Sequence, residues 1–235
     1  MTRTNFNPSL GNSLRKKGIW KFVFQGMKFI QEYIYYRFFK RGKFRFNGKL
    51  YNYFYYHYNA TWRNERAVEI PLIWEEVKKN DPSKVLEVGN VLGHYFKVKH
   101  EVLDKYEKLP GIINKDIVDL KTDKRYDLIV TISTLEHVGW DEEPRDLGKV
   151  ARGIKNLAKH LSKGGKLIFT IPIDYNPHLD KMIKKGEIEL DEVYFLKRIS
   201  KDNHWAQVDL EGIKGAKFED PFPRANGLIV GILNN

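Results

Sequence analysis

The chain has 235 residues, enough for one substantial hydrophobic core with an appendage rather than two equal domains. It is 42% hydrophobic and 30% charged, a globular composition, and holds no run of about 18 consecutive apolar residues of the kind that spans a bilayer. It contains no cysteine, which excludes disulfides, thiolate metal sites and a cysteine nucleophile together.

The net charge of +11 is concentrated at one end. Residues 1–60 hold 12 of the 41 Lys and Arg, one of the 30 acids (Glu32) and 18 of the 32 aromatics, so the remainder is charge-balanced. The expected organisation is a basic, aromatic extension over 1–60 and a neutral globule over 61–235. Met1 to Leu10 lack a secretory layout, which places the expectation in the cytoplasm.

In chain order, residues 1–12 are polar, with Asn7-Pro8 and Gly11-Asn12, and read as a mobile tail. Leu14 to Phe39 shows helical spacing of apolar residues among Lys and Arg, with Gly26 weakening its middle. Asn47-Gly48 between Phe44–Phe46 and Lys49–Phe54 predicts a small hairpin, because both turn positions favour positive φ. Ala67 to Lys79 reads as a helix carrying Pro71, closed by Asn80-Asp81-Pro82.

From Lys84 onward short apolar runs alternate with helical ones. Strands are predicted over Lys84–Val88, Glu101–Asp104, Gly111–Ile117, Tyr126–Ser133, Lys166–Ile173, Val193–Ile199 and Gly227–Leu233. Leu147, Val150, Ile154, Leu157 and Leu161 predict a helix ended by Gly164-Gly165. This alternation predicts an α/β fold: a Rossmann-like, doubly wound, mostly parallel seven-stranded sheet whose last strand is antiparallel. In such sheets ligands bind beyond the carboxyl ends of the strands, where strand order reverses.

Three segments carry a family resemblance. Glu87-Val88-Gly89-Asn90-Val91-Leu92-Gly93 resembles the first motif of class I S-adenosylmethionine-dependent methyltransferases. Tyr126 to Val138, ending Leu135-Glu136-His137-Val138, is similar to the fourth-strand motif of the small-molecule, type 11-like members. Gly164 to Pro172 resembles their fifth-strand segment. The likeness runs in register over roughly residues 65–235. One departure stands in the first motif: Val91 occupies the usual place of the middle glycine, where a side chain narrows the approach of a ligand.

The resemblance implies S-adenosyl-L-methionine as cofactor, held by Glu87, Gly89, Asn90, Gly93, Asp104, Asp116, Ile117, Ser133 and Thr134. Asp104 takes the ribose hydroxyls in this reading, or is an exposed strand-end acid; Asp116 accepts from the adenine amino group, or caps a turn. His137 is the candidate base, since imidazole exchanges protons near neutral pH, and a structural role in its loop is the alternative. Asp141, Glu142, Glu143 and Asp146 are explained by the dipole of the helix that follows as well as by a metal ion, and no metal site is assigned.

Two kinds of acceptor compete. The basic extension suits RNA, but the cysteine of cytosine-ring methylation is absent, and so is the Pro-Pro-aromatic sequence of amino-group methylases. Arg63-Asn64-Glu65-Arg66, Tyr194 to Ser200, Asn203-His204-Trp205 and Arg224-Ala225-Asn226 resemble segments of methyltransferases of polysaccharide biosynthesis. The preferred reading is therefore O-methylation of a sugar, glycan or lipid-linked small molecule, with Arg63, Trp140, Tyr175, Arg198, Arg224 and Asn226 as acceptor contacts. Residues 14–41 then offer peripheral contact with the inner membrane face, the alternatives being packing on the chain's own core or a homodimer. A protein that keeps the fold without turnover is the third reading.

Overall fold

The computed structural model describes residues 23–235 and divides the chain into two compact units, Met1–Arg41 and Gly42–Asn235. The predicted tail and the first part of the predicted basic helix lie outside the described residues. In the first unit, helix α1 covers residues 23–34 and continues as a π-helical turn, Tyr35–Phe39.

The second unit opens with the predicted hairpin, β1 (Lys43–Phe46) and β2 (Lys49–Asn52). Asn47 and Gly48 both adopt positive φ, as an Asn-Gly turn requires. The hairpin belongs to the globule. Phe46 meets Tyr194 edge-on, and the Asn47 amide donates to Gln207 Oε1.

Helix α2 (Arg66–Lys78) is buried on most sides. Pro71 removes the N–H that would have reached the Ala67 carbonyl, and that carbonyl instead accepts from the Phe54 amide at 2.9 Å. The proline thus converts a lost helix bond into the attachment of the segment that follows the hairpin.

The main sheet has eight strands: β3 (Val85–Val88), β4 (Glu101–Leu103), β5 (Ile112–Ile113), β6 (Tyr126–Ile132), β7 (Leu161–Pro172), β8 (Glu192–Arg198), β9 (Trp205–Val208) and β10 (Gly227–Asn234). Their spatial order is β5-β4-β3-β6-β7-β10-β8-β9. Pairing from β5 to β7 is parallel, and β10 runs antiparallel to both neighbours, as expected for the last strand. This is a Rossmann-like α/β sheet whose order reverses beside β3.

Three expectations are corrected. The eighth strand, β9, is an edge strand on β8, at four residues too short to stand out. Helix α3 (Lys149–Ala158) ends before Leu161, which instead pairs with Tyr126 across an irregularity and starts β7. The acids at 141–146 therefore precede α3 and do not occupy its first turn. The predicted strand 111–117 shrinks to two residues, because Asp116 accepts the Val118 amide and caps a short 3-10 turn, Ile117–Asp119. Connections on this side are reduced too: β3 passes to β4 through only a 3-10 turn, Leu92–His94.

The core lies between the sheet and its helices. On α3, Val150, Ile154 and Leu157 are buried at helical spacing, and Gly153 makes room for Ile117, whose Cδ1 would stand 2.0 Å from a Cβ at that position.

Helix α4 (Pro177–Lys184) was missed because it is short; Asn176 caps it by accepting the Leu179 amide. One turn in, Asp180 is buried, with Oδ2 accepting the Asp174 amide and Oδ1 unpartnered. Burial pushes its carboxyl up to about 6. The native state therefore holds this proton more tightly than the unfolded chain, and the stability it contributes below pH 4 is lost as pH rises through 6. Asp180→Asn should match the wild type in urea unfolding at pH 4 and exceed it by about 1–3 kcal/mol above pH 7.

Candidate active site

Glu87, on β3, is fully buried. Its Oε1 accepts the amides of Val91 (2.9 Å) and Leu92 (2.7 Å), and Oε2 lies 2.8 Å from His100 Nε2. The acid thus fixes the loop 89–93 from beneath and does not line a cavity. Gly89 has φ +82°, and a Cβ there would stand 2.3 Å from Thr134 Oγ1. Val91 sits at φ −97°, ψ −48°, an ordinary helical conformation that needs no glycine. Gly93 is required by Asn90, whose Oδ1 would meet a Cβ at 2.3 Å.

Above this loop opens a cavity of about 410 Å³ at the carboxyl ends of β3, β4 and β6. Gly89, Asn90, Asp104, Asp116, Ile117, Ser133, Thr134 and His137 line it, so most of the residues expected to hold a cofactor converge; Glu87 and Gly93 act from behind. Asp104 Oδ2 accepts the Asn90 amide (3.2 Å), and Oδ1 accepts those of Tyr106 and Glu107. Val88, Leu103, Ile117 and Val138 supply an apolar wall. Asp116 differs from expectation. Its Oδ2 is paired with Lys105 (3.0 Å) and Lys149 (2.6 Å), which against the opposing effect of burial hold its carboxyl below the usual range. Glu142 is shared by the same two lysines, which closes this corner of the cavity.

A second cavity of about 280 Å³ adjoins the first and shares Ser133 and His137 with it. Asn59, Asn64, Glu65, Arg66, Glu136, Pro172, Tyr175, Phe218 and Arg224 complete its lining. Ser133, at φ +39°, donates to Glu69 Oε1 at 2.6 Å, and Arg66 pairs with Glu69 Oε2 at 2.5 Å. Glu136 is 1% exposed and its Oε2 has no partner. Burial pushes its carboxyl well up, the charges of Glu69 and Glu65 add to the rise, and Glu65 is raised in the same way.

His137 is half-exposed between the cavities. Its Nδ1 lies 2.5 Å from Asp141 Oδ2, which also accepts the Tyr175 hydroxyl at 2.7 Å. Burial works to raise the Asp141 carboxyl, but these hydrogen bonds hold it below the usual range. An ionised carboxylate only accepts, so Nδ1 is the donor of this pair, and in the neutral ring that leaves the lone pair on Nε2. Glu136 Oε1, 3.7 Å from Nε2, is too far to engage it.

Of the six expected acceptor contacts, Tyr175 and Arg224 line the second cavity. Arg63 lies over the Trp62 ring, and Trp140 is stacked by Arg145. Arg198 is buried and donates to the carbonyls of Ser200, Lys201 and Pro223. Asn226 donates to those of Lys217, Phe222 and Arg224. Both hold the loop that presents Phe218 and Arg224 rather than a ligand. Asn59 and Glu136 are not among the expected lining of the second cavity; Asn64, Glu65 and Arg66 enter the sequence reading only as part of the Arg63–Arg66 segment, and Asp141 only within an acidic cluster. The signal for Glu69 was a charge on an otherwise apolar stretch of helix, Ala67 to Ile73. Among the described residues no group of three or more His, Asp or Glu is placed to hold a metal ion.

No protein-family model matches this sequence, and no curated protein does. Among solved structures the chain is similar to the N-methyltransferase NodS from Bradyrhizobium japonicum in complex with S-adenosyl-L-homocysteine, at 17% identity and TM-score 0.46, covering 73% of this chain and 87% of that one. It is similar to the sugar N-methyltransferase KedS8 from Streptoalloteichus sp. at 14% identity and TM-score 0.36, covering 72% and 88%. A further likeness is to an S-adenosylmethionine-dependent methyltransferase from Clostridium acetobutylicum at 15% identity and TM-score 0.36, covering 69% and 88%. At such values the function of this chain has to be read from its own geometry.

The loop geometry separates the two positions in the first motif. Gly89→Ala should lower stability by about 1–3 kcal/mol in urea unfolding, because a Cβ is strained both by φ and by Thr134. Val91→Gly should cost under about 1 kcal/mol, through unfolded-state entropy alone.

Proposed function

We propose that the chain is an S-adenosylmethionine-dependent methyltransferase that methylates a hydroxyl of a sugar, glycan or lipid-linked small molecule. The observation that carries this reading is the pair of adjoining cavities at the switch point of the sheet, with the Asp141-held imidazole of His137 in the wall they share.

The first cavity suits the cofactor in its polar and apolar parts. Asp104, fixed by three amides at the end of β4, is placed to accept ribose hydroxyls, and Ile117 with Leu103 and Val138 gives a face for the base. Asn90 and Thr134, beside Gly89, add polar groups to the same lining. Asp116, held by two lysines, contributes position and charge at the rim rather than a free acceptor. Bound there, the cofactor supplies a methyl group on a sulfonium, open to in-line attack by an oxygen.

The second cavity takes the acceptor. Its Glu136 and Glu65 carboxyls, both pushed up by burial, and Asn59, Asn64 and Tyr175 offer hydrogen-bonding groups. Such a lining recognises an uncharged polyol. His137 Nε2 removes the acceptor's hydroxyl proton as the oxygen attacks, and Asp141 stabilises the imidazolium that results. Tyr175 keeps Asp141 turned toward the ring.

Calorimetry with S-adenosylmethionine tests the first half: the wild type should bind and Asp104→Ala should lose binding by at least about tenfold. No heat of binding by the folded protein would overturn the proposal. For the second half, His137→Ala should keep cofactor affinity while single-turnover methylation falls about 100-fold or more, and Asp141→Asn should fall less. Unchanged turnover in His137→Ala would remove it as the base.

A further inference from the structure

Helix α1 carries a face that nothing in the methyl-transfer reading uses. Val23, Met27, Ile30, Ile34 and Phe38 recur at intervals of three and four residues, and all are exposed. Phe24, Tyr35 and Phe39 widen the stripe, with Phe24 70% and Phe39 74% exposed. The partly covered positions, Phe29, Glu32, Tyr33, Tyr36 and Lys40, fall on the opposite side. The helix thus leaves its apolar side open, which soluble helices rarely do without an occupant.

Charge decides among occupants. Residues 14–41 carry Arg15, Lys16, Lys17, Lys21, Lys28, Arg37, Lys40 and Arg41 against the single acid Glu32. A second copy of the chain would bring an equally basic segment against this one, which like-charge repulsion opposes. RNA would satisfy the charge but gives no reason for an aliphatic stripe of Val23, Met27, Ile30 and Ile34, since bases stack on aromatic rings. An anionic lipid surface satisfies both: apolar side chains enter the acyl boundary while flanking Lys and Arg reach the headgroups. Among the described residues no helix is long and apolar enough to cross a membrane, so the mode is lying on the surface.

We propose that α1 docks on an anionic membrane through the Val23–Met27–Ile30–Ile34–Phe38 face, with the surrounding basic residues on lipid headgroups.

Co-sedimentation of the full chain with vesicles tests this. Binding should be strong on vesicles with about 30% phosphatidylglycerol, weak on pure phosphatidylcholine, and should fall as salt rises. The double substitution Ile30→Asp with Ile34→Asp, at two exposed positions, should lower binding at least about tenfold without changing the thermal unfolding of the globule. Lys28→Glu with Arg37→Glu should lower it on the anionic vesicles alone. Absence of binding to anionic vesicles, or binding indifferent to the Ile30 and Ile34 changes, would sink the proposal. So would a wild-type dimer in sedimentation that the same changes dissolve, or salt-sensitive retention on RNA without vesicle binding.

Discussion

The buried carboxylate of Glu87 is the constraint on which the ligand side of this molecule depends. A carboxylate is taken out of water at a large desolvation cost unless its oxygens are hydrogen-bonded, and here each has a partner. Oε1 gathers the two amides of the loop after β3, and Oε2 reaches His100 at the entry to β4. One side chain therefore couples the exit of one strand to the entrance of the next. This matters because the connection between them holds only the Leu92–His94 turn, with no full helix to brace it. At the far end of β4, Asp104 closes the circuit by accepting the Asn90 amide. The floor of the first cavity is thus a hydrogen-bonded ring, and Val91 fits it because its amide, rather than its side chain, is what the ring needs.

The second cavity is assembled by a different principle. Its walls come from segments far apart in sequence, tied by side chains that seize backbone carbonyls and amides. Asn203 donates to the carbonyl of Asn64, Glu65 accepts from the amide of Ala225, and Tyr53 accepts from the amide of Trp205. Arg198 and Asn226 between them hold four carbonyls of the loop that bears Phe218 and Arg224, and Arg198 ties these to the Ser200 and Lys201 carbonyls of the turn between β8 and β9. The hairpin and β9 are drawn into the same arrangement through Asn47 and Gln207. The segment 42–60, which composition alone groups with the basic extension, serves in the structure to build the globule's edge.

This difference explains what the sequence made legible. Strand–turn motifs such as Lys84 to Gly93 are local, so apolar runs and glycines announce them, and positive φ at Asn47, Gly48 and Gly89 follows from residue type. Lengths were less legible, because Leu161 satisfies a helix period and a strand face equally and only its pairing with Tyr126 decides. The second cavity was nearly opaque: Arg198 and Asn226 have the chemistry of ligand contacts, yet both are consumed by carbonyls contributed from loops whose position no local pattern encodes. Asp116 shows the same limit, since the lysines that neutralise it come 11 residues before and 33 after in sequence.

Glu136 and His137 show how adjacent residues acquire opposite tasks. The 3-10 turn Leu135–His137 rotates successive side chains by about a third of a turn, so one points inward and the next outward. Glu136 goes into a space already holding Glu65 and Glu69, where burial first and these charges second push its carboxyl well above the usual range. His137 goes toward solvent, where Asp141, four residues on, fixes its tautomer. The buried carboxyl of Glu136 shapes the second cavity, whereas Asp141, paired at the surface, orients the ring that the two cavities share.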